Sequence, residues 1–122
     1  MSDYAPVYKP GQAITLAASA DVTAGRVLEV SGAGTVAHAA ADSVKVVGVA
    51  AFDAKNGENV TVLVGGVHRL TAAGAVTAGD RVAAAAAGTV ATAATPATGA
   101  QLGLALTTAA DGATVEVAWN QA

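Results

Sequence analysis

An internal repeat constrains this chain more than any other feature. Val22-Thr23-Ala24-Gly25 recurs as Val76-Thr77-Ala78-Gly79, and Gly34-Thr35-Val36-Ala37 recurs as Gly88-Thr89-Val90-Ala91, both 54 residues on. Val47-Gly48-Val49-Ala50 is echoed by Leu102-Gly103-Leu104-Ala105, 55 residues on. At the same spacing of 55, Asn56-Gly57-Glu58-Asn59-Val60-Thr61-Val62 is echoed by Asp111-Gly112-Ala113-Thr114-Val115-Glu116-Val117. Four matched blocks in one order point to a duplication. Two copies are too few for a solenoid, whose units need several neighbours. The expectation is one pseudo-symmetric domain over 13–122, made of quasi-repeats at about 13–70 and 71–122. A chain of 122 residues suits one domain with one core.

Each copy reads as strands separated by turns. Val60-Thr61-Val62-Leu63-Val64 and Thr114-Val115-Glu116-Val117-Ala118-Trp119 are rich in β-branched residues and bounded by turn formers. Asn56-Gly57 and Asp111-Gly112 tolerate positive φ at both central turn positions, which favours hairpins. Ala24-Gly25 and Ala78-Gly79 punctuate the entry to strands at Arg26 to Val30 and from Arg81 onward. Ala83 to Ala87 is a conflict, because alanine is the best helix former. This run nevertheless stands where Val27-Leu28-Glu29-Val30 stands in the first copy, and Gly88-Thr89-Val90 stops it early, so a strand is expected. The fold class is therefore all-β, about eight to ten strands in a small pseudo-twofold β-barrel or β-sandwich-like domain. Residues 1–12, with Pro6, Pro10 and Gly11, lie outside the repeat and read as an extended N-terminal arm. Thr92 to Gly99 reads as a small-residue loop.

Composition limits what such a domain can bury. Of the 53% hydrophobic residues, 34 are Ala and 18 are Val, and the aromatics are only Tyr4, Tyr8, Phe52 and Trp119. Alanine buries little area beside the roughly 1.5–3 kcal/mol of a buried Val, Leu or Phe. A core this thin invites help from self-association or a partner.

Several function classes are excluded. Apolar runs are short and broken, as in Val44-Lys45-Val46-Val47-Gly48-Val49, so no membrane-spanning helix of about 20 apolar residues is expected. Met1-Ser2-Asp3-Tyr4-Ala5-Pro6 lacks the basic start and apolar stretch of a secretory signal, so export is not expected. With no cysteine there is no disulfide or thiolate chemistry. Six basic and nine acidic residues give net charge −3, scattered without a basic stripe, which argues against nucleic-acid binding.

A search for chemistry finds little. A phosphate-cradling loop needs Gly-Lys followed by Ser or Thr, and no Gly-Lys dipeptide occurs. His38 and His68 lack carboxylates at metal-ligand spacing and read as partly exposed strand histidines. Ser31, His38 and Asp42 can be grouped on paper but sit in no nucleophile motif. Asp53 and Glu58 flank a turn, where solvated charges need no function. Asn59-Val60-Thr61 matches a glycosylation sequon but reads as strand sequence. No enzymatic activity, metal or cofactor is expected. Lys55, in Phe52-Asp53-Ala54-Lys55-Asn56-Gly57, offers an alternative. Lipoyl and biotinyl carrier domains present a modifiable lysine at a hairpin tip and share pseudo-twofold β symmetry. Their Asp-Lys or Met-Lys-Met pattern is absent here, and a solvated turn lysine is preferred.

The opening Tyr8-Lys9-Pro10-Gly11-Gln12, Ile14-Thr15-Leu16 and Val22-Thr23-Ala24-Gly25-Arg26-Val27 resembles small bacteriophage capsid decoration (head cement) proteins. So do Val47-Gly48-Val49-Ala50, Val64-Gly65-Gly66-Val67 and Ala78-Gly79-Asp80-Arg81-Val82, and the resemblance spans almost the whole chain. It implies a structural virion protein, made in the host cytoplasm, that binds the major capsid protein on the outer capsid surface. It also implies a homo-oligomer, commonly a trimer, with no active site. In that role the arm could add a strand to an exposed sheet edge on the shell. The capsid-binding candidates are then Tyr4, Pro6, Val7, Tyr8, Lys9 and Pro10, with the two tyrosines and Val7 as anchors.

Overall fold

Alternating Val-x-Val patterns give one buried and one outward face to each strand, and these faces close around apolar interiors. In a computed structural model the described residues are 13–93 and 101–119. The first repeat supplies β1 (Ile14–Ala18), β2 (Val27–Gly32), β3 (Thr35–His38), β4 (Val46–Ala50) and β5 (Asn59–Leu63). The second supplies β6 (Val67–Thr71), β7 (Arg81–Ala84), β8 (Val90–Thr92), β9 (Gln101–Ala105) and β10 (Thr114–Trp119). Among the described residues the protein is all-β apart from one 3-10 turn at Ala86–Gly88.

β1 to β5 form a closed barrel in the order β1-β3-β2-β4-β5, and β6 to β10 form a second sheet in the order β6-β10-β9-β7-β8. Four strand pairings correspond between the repeats. β1 lies antiparallel to β5 with Ile14 opposite Val62, and β6 lies antiparallel to β10 with Thr71 opposite Thr114. Both β2–β4 and β7–β9 change register at equivalent points, between Leu28 and Glu29 and between Val82 and Ala83. The one difference lies at the seam. β1 and β3 pair in parallel through Ala17–Thr35 and Ala18–Val36, whereas in the second repeat only the bridge Ala72–Val90 joins the equivalent edges. β6 belongs with β10 and starts at Val67, so the sheets divide a few residues ahead of the 70/71 point where the sequence blocks suggest a break.

The interior is aliphatic. Its largest fully buried side chains are Leu28, Leu70 and Leu102 together with Val27, Val36, Val60, Val62, Val76, Val82, Val90, Val115 and Val117. Leu28, Val36, Val60 and Val62 cluster inside the barrel. Val27, Ala39, Val46 and Val49, which come from the first repeat, join the cluster of the second sheet instead. They are the outward face of the barrel, buried by its neighbour.

Two local expectations change. Asn56-Gly57 and Asp111-Gly112 do turn the chain, but only the glycines have positive φ, +90° and +79°. With Glu58 N–H donating to the Lys55 carbonyl at 2.9 Å and Ala113 N–H to the Ala110 carbonyl at 3.0 Å, these are type II turns rather than two-residue hairpins. They lie inside the longer connections 51–58 and 106–113, pinned by bonds from Gly57 N–H to Ala18 and from Gly112 N–H to Ala72. The alanine run is strand only to Ala84. Ala86–Gly88 then folds into the 3-10 turn, with Ala87 at φ +58°, because its carbonyls and amides bond to the first repeat.

Candidate functional site

The arm residues proposed for capsid contact, Tyr4, Pro6, Val7, Tyr8, Lys9 and Pro10, lie outside the described residues. What can be built from the residues upward is the polar rim and the exposed apolar surface.

At one end of the barrel, Val22 and Ala54 form an antiparallel bridge that ties the β1–β2 and β4–β5 connections together. Around it Asp21, Thr23, Asp53, Lys55 and Glu58 line a shallow depression of about 300 Å³. The carboxylates serve the backbone. Asp53 Oδ1 accepts from Ala24 N–H at 2.8 Å, Asp21 Oδ1 from Asn56 N–H at 2.9 Å, and Glu58 Oε1 from Lys55 N–H at 2.7 Å. Asp53 and Glu58 are therefore turn-holding groups, and Lys55 is an exposed residue that opens its turn rather than standing at its apex. Equivalent roles in the second repeat fall to Thr108, whose Oγ1 accepts from Ala78 N–H at 3.0 Å, and Asp111, whose Oδ1 accepts from Gly74 N–H at 2.9 Å.

Both histidines are half-buried strand residues. His38 Nε2 accepts from Thr23 N–H at 2.9 Å, which requires a neutral ring. Burial first, and the nearby Arg26 charge second, push its pKa below the ordinary 6.5. His68 Nε2 bonds the Gly65 carbonyl oxygen at 2.7 Å and its ring meets Trp119 edge-on at 5.8 Å. Ser31, His38 and Asp42 are not wired together. Ser31 Oγ bonds Ser19 Oγ at 2.6 Å and Thr35 Oγ1 at 3.0 Å, while Asp42 is fixed through its own N–H to the Ala84 carbonyl at 2.9 Å. Among the described residues no group of three or more His, Asp or Glu is placed to hold a metal, and no helix could cross a membrane.

The surface carries more apolar side chain than the rim chemistry explains. Val44 is 70% exposed, Val67 58%, Leu106 49%, Phe52 46% and Val30 41%. Sequence reasoning pointed to the arm and missed these: Val30 and Val67 lie on strands whose alternation does not say which faces stay uncovered, and Val44, Phe52 and Leu106 lie in connections that carry no periodicity.

A family model described as phage cement protein matches residues 8–120. The chain belongs to that family. Its membership covers both repeats and takes in Tyr8, Lys9 and Pro10, while Tyr4, Pro6 and Val7 precede the matched region. Among solved structures, the head fiber gp8.5 N base of bacteriophage phi29 is similar in fold. It aligns with TM-score 0.73 and 23% identity over 89% of this chain and 93% of that one. No curated protein matches. A phage capsid structural protein, all-β and barrel-containing, is what this cement-family chain is.

Proposed function

We propose that the protein decorates and stabilises the outer surface of a tailed-phage head by binding subunits of the major capsid protein. The cement-family match over residues 8–120 carries this reading. The exposed Val44 and Phe52 and the thin aliphatic core support it, since both favour a protein that gains stability on docking. It works without catalysis, as a homo-oligomer, trimer favoured, made in the host cytoplasm and carried on the virion.

In this proposal the arm 1–12 engages the shell. Tyr4 and Tyr8 are rigid amphipathic anchors, and Pro6 and Pro10 limit self-pairing of the segment. Ordering the arm costs about 1–2 kcal/mol per residue in backbone entropy, so it binds well only if much of it is buried. The test is co-sedimentation with capsids that lack the protein. Deleting 1–12 is expected to leave the thermal melt near that of the full chain and to weaken capsid binding sharply. Tyr4→Ala and Tyr8→Ala should each cost about 1–2 kcal/mol. Undiminished binding by the truncated chain removes the arm from the mechanism, and failure of the full chain to bind removes the decoration reading.

A further inference from the structure

The two repeats share a topology but not an environment. In each, the turn between second and third strands carries a left-handed glycine, Gly34 at φ +72° and Gly88 at φ +74°. Gly88 is buried against the barrel, where an added Cβ would lie 2.8 Å from the Val27 carbonyl oxygen and 3.0 Å from Arg26 Cβ. Its N–H donates to the Ala39 carbonyl at 3.0 Å, and Arg26 Nη1 donates to the Ala87 carbonyl at 3.3 Å. Gly34 is exposed, and a Cβ there meets nothing within 4 Å among the described residues.

The receiving face shows the reciprocal difference. Val27 and Val49, paired across β2–β4, are 0% and 2% exposed because the second repeat covers them. Their counterparts Arg81 and Leu104, paired across β7–β9, are both exposed. From Leu104 the row continues through Ala118 to Val67, which is 58% exposed. The internal contact thus joins the tip of the second repeat to the face of the first. Among the described residues, the tip of the first repeat, with Val30 and Gly34, and the face of the second are left without that partner.

We infer that the free tip around Val30 and Gly34 seats on the free face around Arg81 and Leu104 of a second copy of this chain. The contact between copies repeats the contact within one copy. The occupant is argued from the molecule itself, because the same tip-and-face pair is already joined once inside it. Such a contact is heterologous, so it closes into a ring or propagates, and it does not produce a two-fold dimer. Arg81 in place of Val27 makes the contact between copies more polar than the internal one, which suits reversible association. The inference does not depend on capsid binding and is tested without capsids.

The chain has no cysteine, so engineered thiols report cleanly. Ala33→Cys marks the exposed tip and Leu104→Cys the exposed face. Mixed under mild oxidation, the two variants are expected to cross-link at least about tenfold faster than either alone, because a formed contact raises the effective thiol concentration. Sedimentation of the wild type should show mass rising with concentration, and Leu104→Glu should return it to monomer with an unchanged strand spectrum. Cross-linking of either variant with itself as fast as in the mixture overturns the inference. So does a wild type that stays monomeric at every concentration.

Discussion

Gly48 in β4 and Gly103 in β9 occupy the same place in the two repeats. An added Cβ would overlap the carbonyl oxygen of Leu63 at the first and of Ala118 at the second. The obstacle is a neighbouring strand's backbone, which cannot swing aside as a side chain would. Gly48→Ala and Gly103→Ala are each expected to cost about 1–3 kcal/mol, read from chemical denaturation midpoints. The repeat made both positions visible in the sequence, but spacing alone does not reveal how closely a neighbouring carbonyl passes. His38 is the other residue with a measurable signature. It is neutral in the fold, and its pKa lies below 6.5. The unfolded chain takes up a proton near 6.5 that the folded chain refuses. Stability from this site is therefore full above that value and is lost as pH falls from it through the folded pKa. His38→Gln keeps an acceptor for Thr23 N–H without titrating, so it should flatten the fall in melting temperature between about pH 7.5 and pH 5. An equally steep fall in that variant places the titrating group elsewhere.

At the level of elements, the strands were legible and the tips were not. β-branched runs located β5 and β10, and the punctuation at Ala24-Gly25 and Ala78-Gly79 located β2 and β7. Both glycines there have positive φ, +76° and +93°, as a turn at those positions needs. The alanine run was misread beyond Ala84 because its conformation is set by partners distant in sequence. Ala87 at φ +58° pays for a backbone that L-residues disfavour, and Thr89 Oγ1 bonds the Ala86 carbonyl at 2.7 Å to close the turn. Ala87→Gly should then stabilise by about 0.5–1 kcal/mol, the left-handed penalty less the entropy that glycine adds to the unfolded chain. Gly88→Ala should destabilise by more, since its Cβ would meet the Val27 carbonyl. Opposite signs at adjacent residues, read in one set of thermal melts, are the signature of a seated turn. Two losses of equal size would mean the segment is not seated as described.

For the whole molecule, the duplication was the legible part and the burial of one repeat by the other was not. Offsets of 54 and 55 residues announce two equivalent units. They do not say that one unit closes its seam with β1–β3 pairing while the other holds it by the Ala72–Val90 bridge. The family likeness runs through blocks from Tyr8 to Val82 and is settled by comparison, whereas the capsid-binding role of the arm is a proposal. In both repeats the first strand pairs with the last, β1 with β5 and β6 with β10. That pairing dictates an order of events on the ribosome. Neither unit can close until its fifth strand has emerged, and such non-local pairing is slow to form. The barrel is complete as a chain at Leu63, but Val27 and Val49 stay uncovered until the second repeat follows. At synthesis rates of about 5–20 residues per second that interval lasts on the order of seconds. For that time each nascent chain carries a bare apolar face, open to chaperones and to other nascent copies.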